Sequence, residues 1–235
     1  MPIQTVFLDA GGVLVFPNWS RVSETLARHG VTVSAQALSE AEPRAKKRLD
    51  VGETIQATND RERGWTYFNL VLAEAGVALS PATADALAEL HIYHQTSNLW
   101  ETVPDDVRPA LARLRGRGYR LVVVSNANGR LRHLFERVGL SGAVDALFDS
   151  CDEGVEKPDP RFFNIALERT KSRADSTIHV GDLYHVDVVG ARAAGIQPVL
   201  LDVADLYKGC DCPRVRSLEG LVEFVAGTRE GLRDV

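Results

Sequence analysis

Val180-Gly181-Asp182-Leu183-Tyr184-His185-Val186-Asp187-Val188-Val189-Gly190-Ala191-Arg192 joins two periodicities in one stretch. Upstream, Thr177–Val180 is an apolar run of strand length. Downstream, residues 186–194 are small and apolar (Val188, Val189, Ala191, Ala193, Ala194) and stop at Gly195, as a packed helix does. A strand that leads through a glycine and an acid into a helix is half of a βαβ unit. The same pattern recurs along the chain. Thr5–Leu8, Leu121–Val124, Ala146–Phe148 and Pro198–Leu201 are further strand-length runs. Residues 104–116, 129–138 and 159–169 carry helical spacing between them, the first stopping at Gly116 and Gly118. Strands alternating with helices of this length predict an α/β fold, a doubly wound parallel sheet. In such sheets ligands sit at the carboxyl ends of the strands, near the point where the winding reverses.

From about Phe16 to Trp100 the alternation stops and only helical patterns remain. Val22, Leu26 and Ala27 lead into Gly30, and Tyr67, Phe68, Leu70, Val71 and Leu72 lead into Gly76. Ser80-Pro81 opens another helix, with Ser as N-cap and Pro at the first helical position. The expected organisation is a core of residues 1–15 and 101–235 with an all-helical insert at 16–100.

Composition narrows the class. The 235 residues are 45% hydrophobic and 25% charged, enough to bury a core, and the formal charge is −5. Without a basic stripe, neither nucleic acid nor an anionic membrane surface is an expected partner. Apolar runs are too short to span a membrane, and the start of the chain lacks the pattern of a signal peptide, so a cytoplasmic protein is expected. Three cysteines do not make a disulfide framework. Cys210-Asp211-Cys212 lacks the further ligands a metal site needs and reads as structural. Asn18-Trp19-Ser20 matches a glycosylation acceptor but carries no weight without a secretory signal.

The chemistry-bearing residues follow the strands. After the first come Asp9-Ala10-Gly11-Gly12, an acid held at the sheet's edge with backbone free to approach a ligand. After the second come Ser125-Asn126-Ala127-Asn128, which read alone as an anion site or as a plain helix N-cap. Lys157, in Glu156-Lys157-Pro158, can hold a phosphoryl group and offset carboxylates, or be a surface charge. Asp182 and Asp187 can face one another across a turn and, with Asp9, put three carboxylates in one pocket. Such a cluster repels itself unless a cation or protons compensate, and its oxygen ligands select a hard ion, Mg²⁺ where phosphate is handled.

Taken in order, an Asp after strand one, a Ser after strand two, a Lys and a G-D-x-x-x-x-D segment resemble the haloacid dehalogenase superfamily over the whole chain. The insert falls where that superfamily carries its helical type-one cap. The resemblance implies a Rossmann-like sheet of order 3-2-1-4-5 and an Mg²⁺-dependent phosphatase acting on a small phosphorylated metabolite. It makes Asp9 the nucleophile that becomes an aspartyl-phosphate. Asp9, the Gly11 carbonyl and Asp182 would hold the metal, and Asp187 would hold metal-bound water or orient Lys157. Ser125, Asn126 and Lys157 would bind the phosphoryl oxygens, while the cap closes and selects the substrate.

Gly11 departs from the pattern, because most phosphatases of the superfamily have a second Asp there as general acid. The sugar-1-phosphatase-like branch shares D-x-G, so activity is still expected, with good leaving groups favoured. Haloacid dehalogenases also lack that Asp, but they usually carry an aromatic residue in its place and need no metal. Phosphonatases use a cap Lys; here Lys46 and Lys47 lie in Arg44-Ala45-Lys46-Lys47-Arg48, which reads as a solvated helix face. A degenerate ligand-binding protein is the non-enzyme alternative. Asn18, Trp19 and Arg21, with His91, Tyr93 and His94, are the insert's candidates for substrate contact; His185 receives no role.

Overall fold

The computed structural model describes residues 2–230, and in it the alternation read from the sequence takes the form of six strands. They are β1 (Thr5–Leu8), β2 (Arg120–Ser125), β3 (Ala146–Asp149), β4 (Thr177–Gly181), β5 (Gln197–Leu201) and β6 (Arg214–Val215). Every pairing is parallel and the order is β3-β2-β1-β4-β5-β6, which is the expected order with a two-residue strand added at one edge. All four residues of β1 are buried, as a central strand covered on both faces requires.

The chain divides into two compact units, one of Met1–Val15 with Val103–Val235 and one of Phe16–Thr102. In the first, α6 (Val107–Gly116), α7 (Leu131–Arg137), α8 (Ser150–Glu153), α9 (Pro160–Thr170), α10 (Val189–Ala193) and α11 (Leu218–Glu230) surround the sheet. Period-two alternation sends Phe7, Val122 and Val124 to one face, where they pack with Phe148, Phe162, Phe163, Ala166 and Ile196. On the other side α6 and α11 are joined by Tyr119, whose hydroxyl donates to Val225 O at 2.8 Å.

The helix expected at 186–194 has two parts: a π-helical turn over Tyr184–Val188, then α10. Gly190 makes this close packing possible. A Cβ there would lie 2.8 Å from Phe163 Cε2 and 2.9 Å from the carbonyl of Pro158. Gly190→Ala should therefore lower stability by about 1–3 kcal/mol, as overpacking does, against the small gain in helix propensity. A urea unfolding midpoint equal to that of the wild type would show that the segment carrying Pro158 gives way freely.

The Phe16–Thr102 unit is all helical: α1 (Trp19–Arg28), α2 (Ala35–Leu49), α3 (Gly52–Ala57), α4 (Asp60–Glu74) and α5 (Pro81–Ser97). α5 is capped by Ser80 with Pro81 at its start, as its sequence indicates. α2 persists through Pro43 because Leu38, Ala41, Ala45 and Leu49 are buried in one cluster with Trp19, Leu26, Tyr67 and Phe68. The polar run in α2 is not uniformly solvated. Glu42 is buried and accepts from Tyr67 Oη at 2.9 Å and Trp19 Nε1 at 3.3 Å, and Lys46 Nζ lies 2.7 Å from it. Arg44 and Arg48 instead pair with Glu74 at the surface.

Candidate active site

β1 lies between β2 and β4, with Leu8 in register with Val123 and Val180, so residues just past these strands converge. Asp9 leaves β1 with its N–H donating to Val180 O at 2.9 Å. The chain then turns sharply: Ala10 O accepts from the N–H groups of Val13, Leu14 and Val15, and Gly12 takes a φ of 77° that only glycine adopts without strain. Ser125 is the last residue of β2 and Gly181 the last of β4. α7 begins only at Leu131 with Arg130 as N-cap, so neither Ser125 nor Asn126 caps it.

Five of the expected residues meet here: Asp9, Ser125, Lys157, Asp182 and Asp187. Lys157 is fully buried, with Nζ 2.7 Å from Asp187 Oδ1 and 3.1 Å from Asp9 Oδ1. Carboxylate oxygens of Asp9, Asp182 and Asp187 lie within 4.8 Å of one another. The Ala10 N–H donates to Asp9 Oδ1 at 2.7 Å, and the nearby Ser125 hydroxyl lowers the pKa of the Asp9 carboxyl. Asp187 Oδ2 accepts from Leu183 N–H at 3.1 Å. Gly181 leaves room for this acid, since a Cβ there would lie 2.0 Å from Asp187 Cγ.

A family model for haloacid dehalogenase-like hydrolases matches residues 3–195, the span that holds all of these groups. The chain belongs to that family. The HAD-like hydrolase is 31% identical to haloacid dehalogenase-like hydrolase domain-containing protein 3 of Bos taurus over 183 residues, 74% of this chain and 70% of that one. It is 32% identical to the ribulose-1,5-bisphosphate 5-phosphatase of Halopiger xanaduensis over 127 residues, 54% and 53% of the two chains. Among solved structures, the HAD-hydrolase YfnB of Bacillus subtilis, bound to magnesium, has the same fold at a TM-score of 0.67. The likeness covers 96% of this chain and 99% of that one at 17% identity.

Electrostatics in the HAD-like hydrolase follow from burying three acids with one ammonium. Burial pushes the Asp9 carboxyl up to about 7; Lys157 and Ser125 pull it down, and Asp187 and Asp182 raise it further. Burial opposes the charge on Lys157, yet Asp187 and Asp9 together hold it above the ordinary lysine range. Asp187 is likewise penalised by burial and still held well below the usual carboxylate range by Lys157 and His179. The donor set is all hard oxygen, and one ammonium is placed against three carboxylates. That arrangement fits one divalent cation of the Mg²⁺ type.

The Asn126 side chain is committed to the backbone of Lys157. Its Oδ1 accepts from Lys157 N at 2.8 Å and its Nδ2 donates to Lys157 O at 3.0 Å. It thus fixes the lysine in place from the neighbouring strand end. Two further groups escaped the sequence reading. Asp149, buried at the end of β3, accepts from the N–H groups of Gly129 and Leu131 and holds the loop after Ser125. His179, wholly buried in β4, reaches Asp187 Oδ1 at 2.9 Å. An apolar strand with one internal histidine was the only available signal for the latter, and Asp149 resembled any strand-ending acid.

In the insert, Asn18, Arg21 and Tyr93 all converge on Glu101, with Arg21 also stacked 3.9 Å over the Tyr93 ring. Trp19 is spent on Glu42. His94 Nδ1 accepts from Leu99 N–H, and burial lowers its pKa. His91 packs against Trp65. These contacts give each of the six residues a structural task within the helical unit.

Proposed function

We propose that this HAD-like hydrolase is an Mg²⁺-dependent phosphatase that removes the phosphoryl group from a small phosphorylated metabolite through an aspartyl-phosphate on Asp9. The observation that carries this reading is the set of carboxylate oxygens of Asp9, Asp182 and Asp187 within 4.8 Å, with buried Lys157 between Asp9 and Asp187. A phosphoryl group needs positive charge and positioning more than covalent assistance. A bound Mg²⁺, held by the Asp9 carboxylate, the Gly11 carbonyl and Asp182, would offset the charge of the phosphoryl oxygens.

The chain's own residues do the rest. An Asp9 carboxylate oxygen forms the new bond to phosphorus as the bond to the leaving oxygen breaks, and water later cleaves the acyl phosphate. Lys157 sits beside the attacking group, where its ammonium can bind a phosphoryl oxygen, and Ser125 offers a hydroxyl at the end of β2. Asp187 orients Lys157. The helical unit takes the part of the family's substrate-selecting module. The name of the Halopiger relative, a sugar bisphosphate phosphatase, supports a small phosphorylated substrate. Among the described residues no helix is long and apolar enough to cross a membrane, and all three cysteines are free thiols, which fits a reducing cytoplasm.

Gly11 offers no proton to the leaving group. Acetyl phosphate and p-nitrophenyl phosphate should therefore be cleaved faster than an alkyl phosphate, by up to the roughly 10²–10⁴-fold that general acid catalysis contributes. Phosphate release should require Mg²⁺ and stop with EDTA. Metal-independent turnover, or chloride release from 2-chloropropionate without phosphatase activity, would instead favour dehalogenase chemistry.

A further inference from the structure

His179 is a buried residue whose polarity the packing of β4 does not require. It sits inside β4, where every residue is buried, with zero exposure of its own. Its imidazole meets the Phe163 ring edge to face, 4.8 Å between ring centres. Nδ1 is the one buried side-chain N or O atom among the described residues without a hydrogen-bond partner. Leaving such an atom unpaired is costly, and an aliphatic residue at this position would avoid that cost. The other nitrogen must supply a compensating benefit.

Nε2 lies 2.9 Å from Asp187 Oδ1, the same oxygen that takes Lys157 Nζ at 2.7 Å. Because a carboxylate only accepts, Nε2 carries the proton and donates. A proton on Nδ1 would have no acceptor, so the neutral Nε2–H tautomer is the one that fits both ends of the ring. With Leu183 N–H on Oδ2, Asp187 is held by three donors from three directions. We propose that His179 is a positioning residue: its Nε2–H fixes Asp187 so that Lys157 Nζ is presented to Asp9. It touches neither the reacting atoms nor Asp9, and acts through the Asp187–Lys157 pair. The proposal rests on the phosphatase reading only for its kinetic readout.

The test uses the full chain and three variants, assayed with acetyl phosphate and Mg²⁺. His179→Gln places an amide N–H where Nε2 stands; His179→Leu keeps bulk without a donor; His179→Asn keeps an amide that is too short. kcat should fall about 10–100-fold in the Leu variant, the usual cost of losing a group that orients a site residue, with KM little changed. The Gln variant should recover most of it. Should the Leu variant fail to fold, Gln against Asn makes the same comparison. Equal kcat in Gln and Asn, or in Gln and Leu at matched melting temperature, overturns the proposal.

A second readout does not need turnover. The ¹⁵N spectrum of His179, assigned by its loss in the Gln variant, should show a neutral ring protonated at Nε2 and protected from exchange. Protonation at Nδ1 instead overturns the proposal. An inactive wild type with the expected spectrum removes the phosphatase reading alone.

Discussion

Asp9→Asn is expected to lower phosphate release from acetyl phosphate by about 10⁴-fold or more, to background, because the proposed mechanism loses its carboxylate nucleophile. The same substitution should stabilise the metal-free fold. The Asp9 carboxyl is pushed from 3.8 up to about 7, chiefly by burial. A group whose folded pKa is raised is favoured in its neutral form. The wild type therefore loses stability as pH rises from about 4 through about 7, and asparagine loses none from this position. Above neutral pH the difference should reach the order of a few kcal/mol in EDTA, read as a higher melting temperature for the variant. Mg²⁺ should reverse the ranking, because only the wild type presents the full ligand set. Turnover undiminished by the change would remove Asp9 from the mechanism.

Lys157→Met should be the most destabilising single change at this site. Lys157 is fully buried between two acids, and Asp187 is 1% exposed, so methionine leaves a buried carboxylate without its counter-charge. Breaking such a pair from one side costs about 3–5 kcal/mol. The loss should be largest at neutral pH and shrink in acid. Asp187 is held below the carboxylate range by Lys157, so in the wild type its contribution persists until the pH falls below that of ordinary acids. In the variant Asp187 protonates earlier and the strain is relieved. Urea midpoints at neutral pH and near pH 5 measure this directly, and a deficit that does not narrow in acid would place the cost in packing rather than charge. Phosphate release should fall with it by about 10²–10³-fold.

How much of this was legible in the sequence depended on the range of the contact. Asp9, Ser125 and Asp182 could be found because a parallel sheet delivers every strand end to one edge, and strands of four to six residues announce themselves as apolar runs. Lys157, neither on a strand nor next to one in sequence, read as a phosphoryl ligand or as a surface charge, and the resemblance chose between them. What stayed hidden was the support. The Asn126 side chain looked like a phosphate ligand and is tied to the backbone of Lys157, far along the chain. His179 looked like one residue in an apolar strand. Its partner Asp187 reaches it through a π-helical turn, and the spacing of apolar residues does not announce such a turn. In the insert, Lys46 belongs to a charged run, and only the buried Glu42 beneath it shows that this lysine is half sheltered. Patterns of polarity located the charged groups that meet at the strand ends, whereas the hydrogen bonds that hold them depend on which side chains tertiary packing brings together.

The end of β4 also sets a limit on how the molecule can be altered. Asp187 occupies the space where Gly181 would carry its first side-chain carbon. Glycine has no smaller substitute, so every replacement there enlarges the residue and drives the acid off its three donors. Neutral drift can explore the outer helices, but it cannot pass through position 181 and keep this arrangement. Anyone diversifying the protein toward new substrates gains library depth by holding that codon fixed and spending the variation elsewhere.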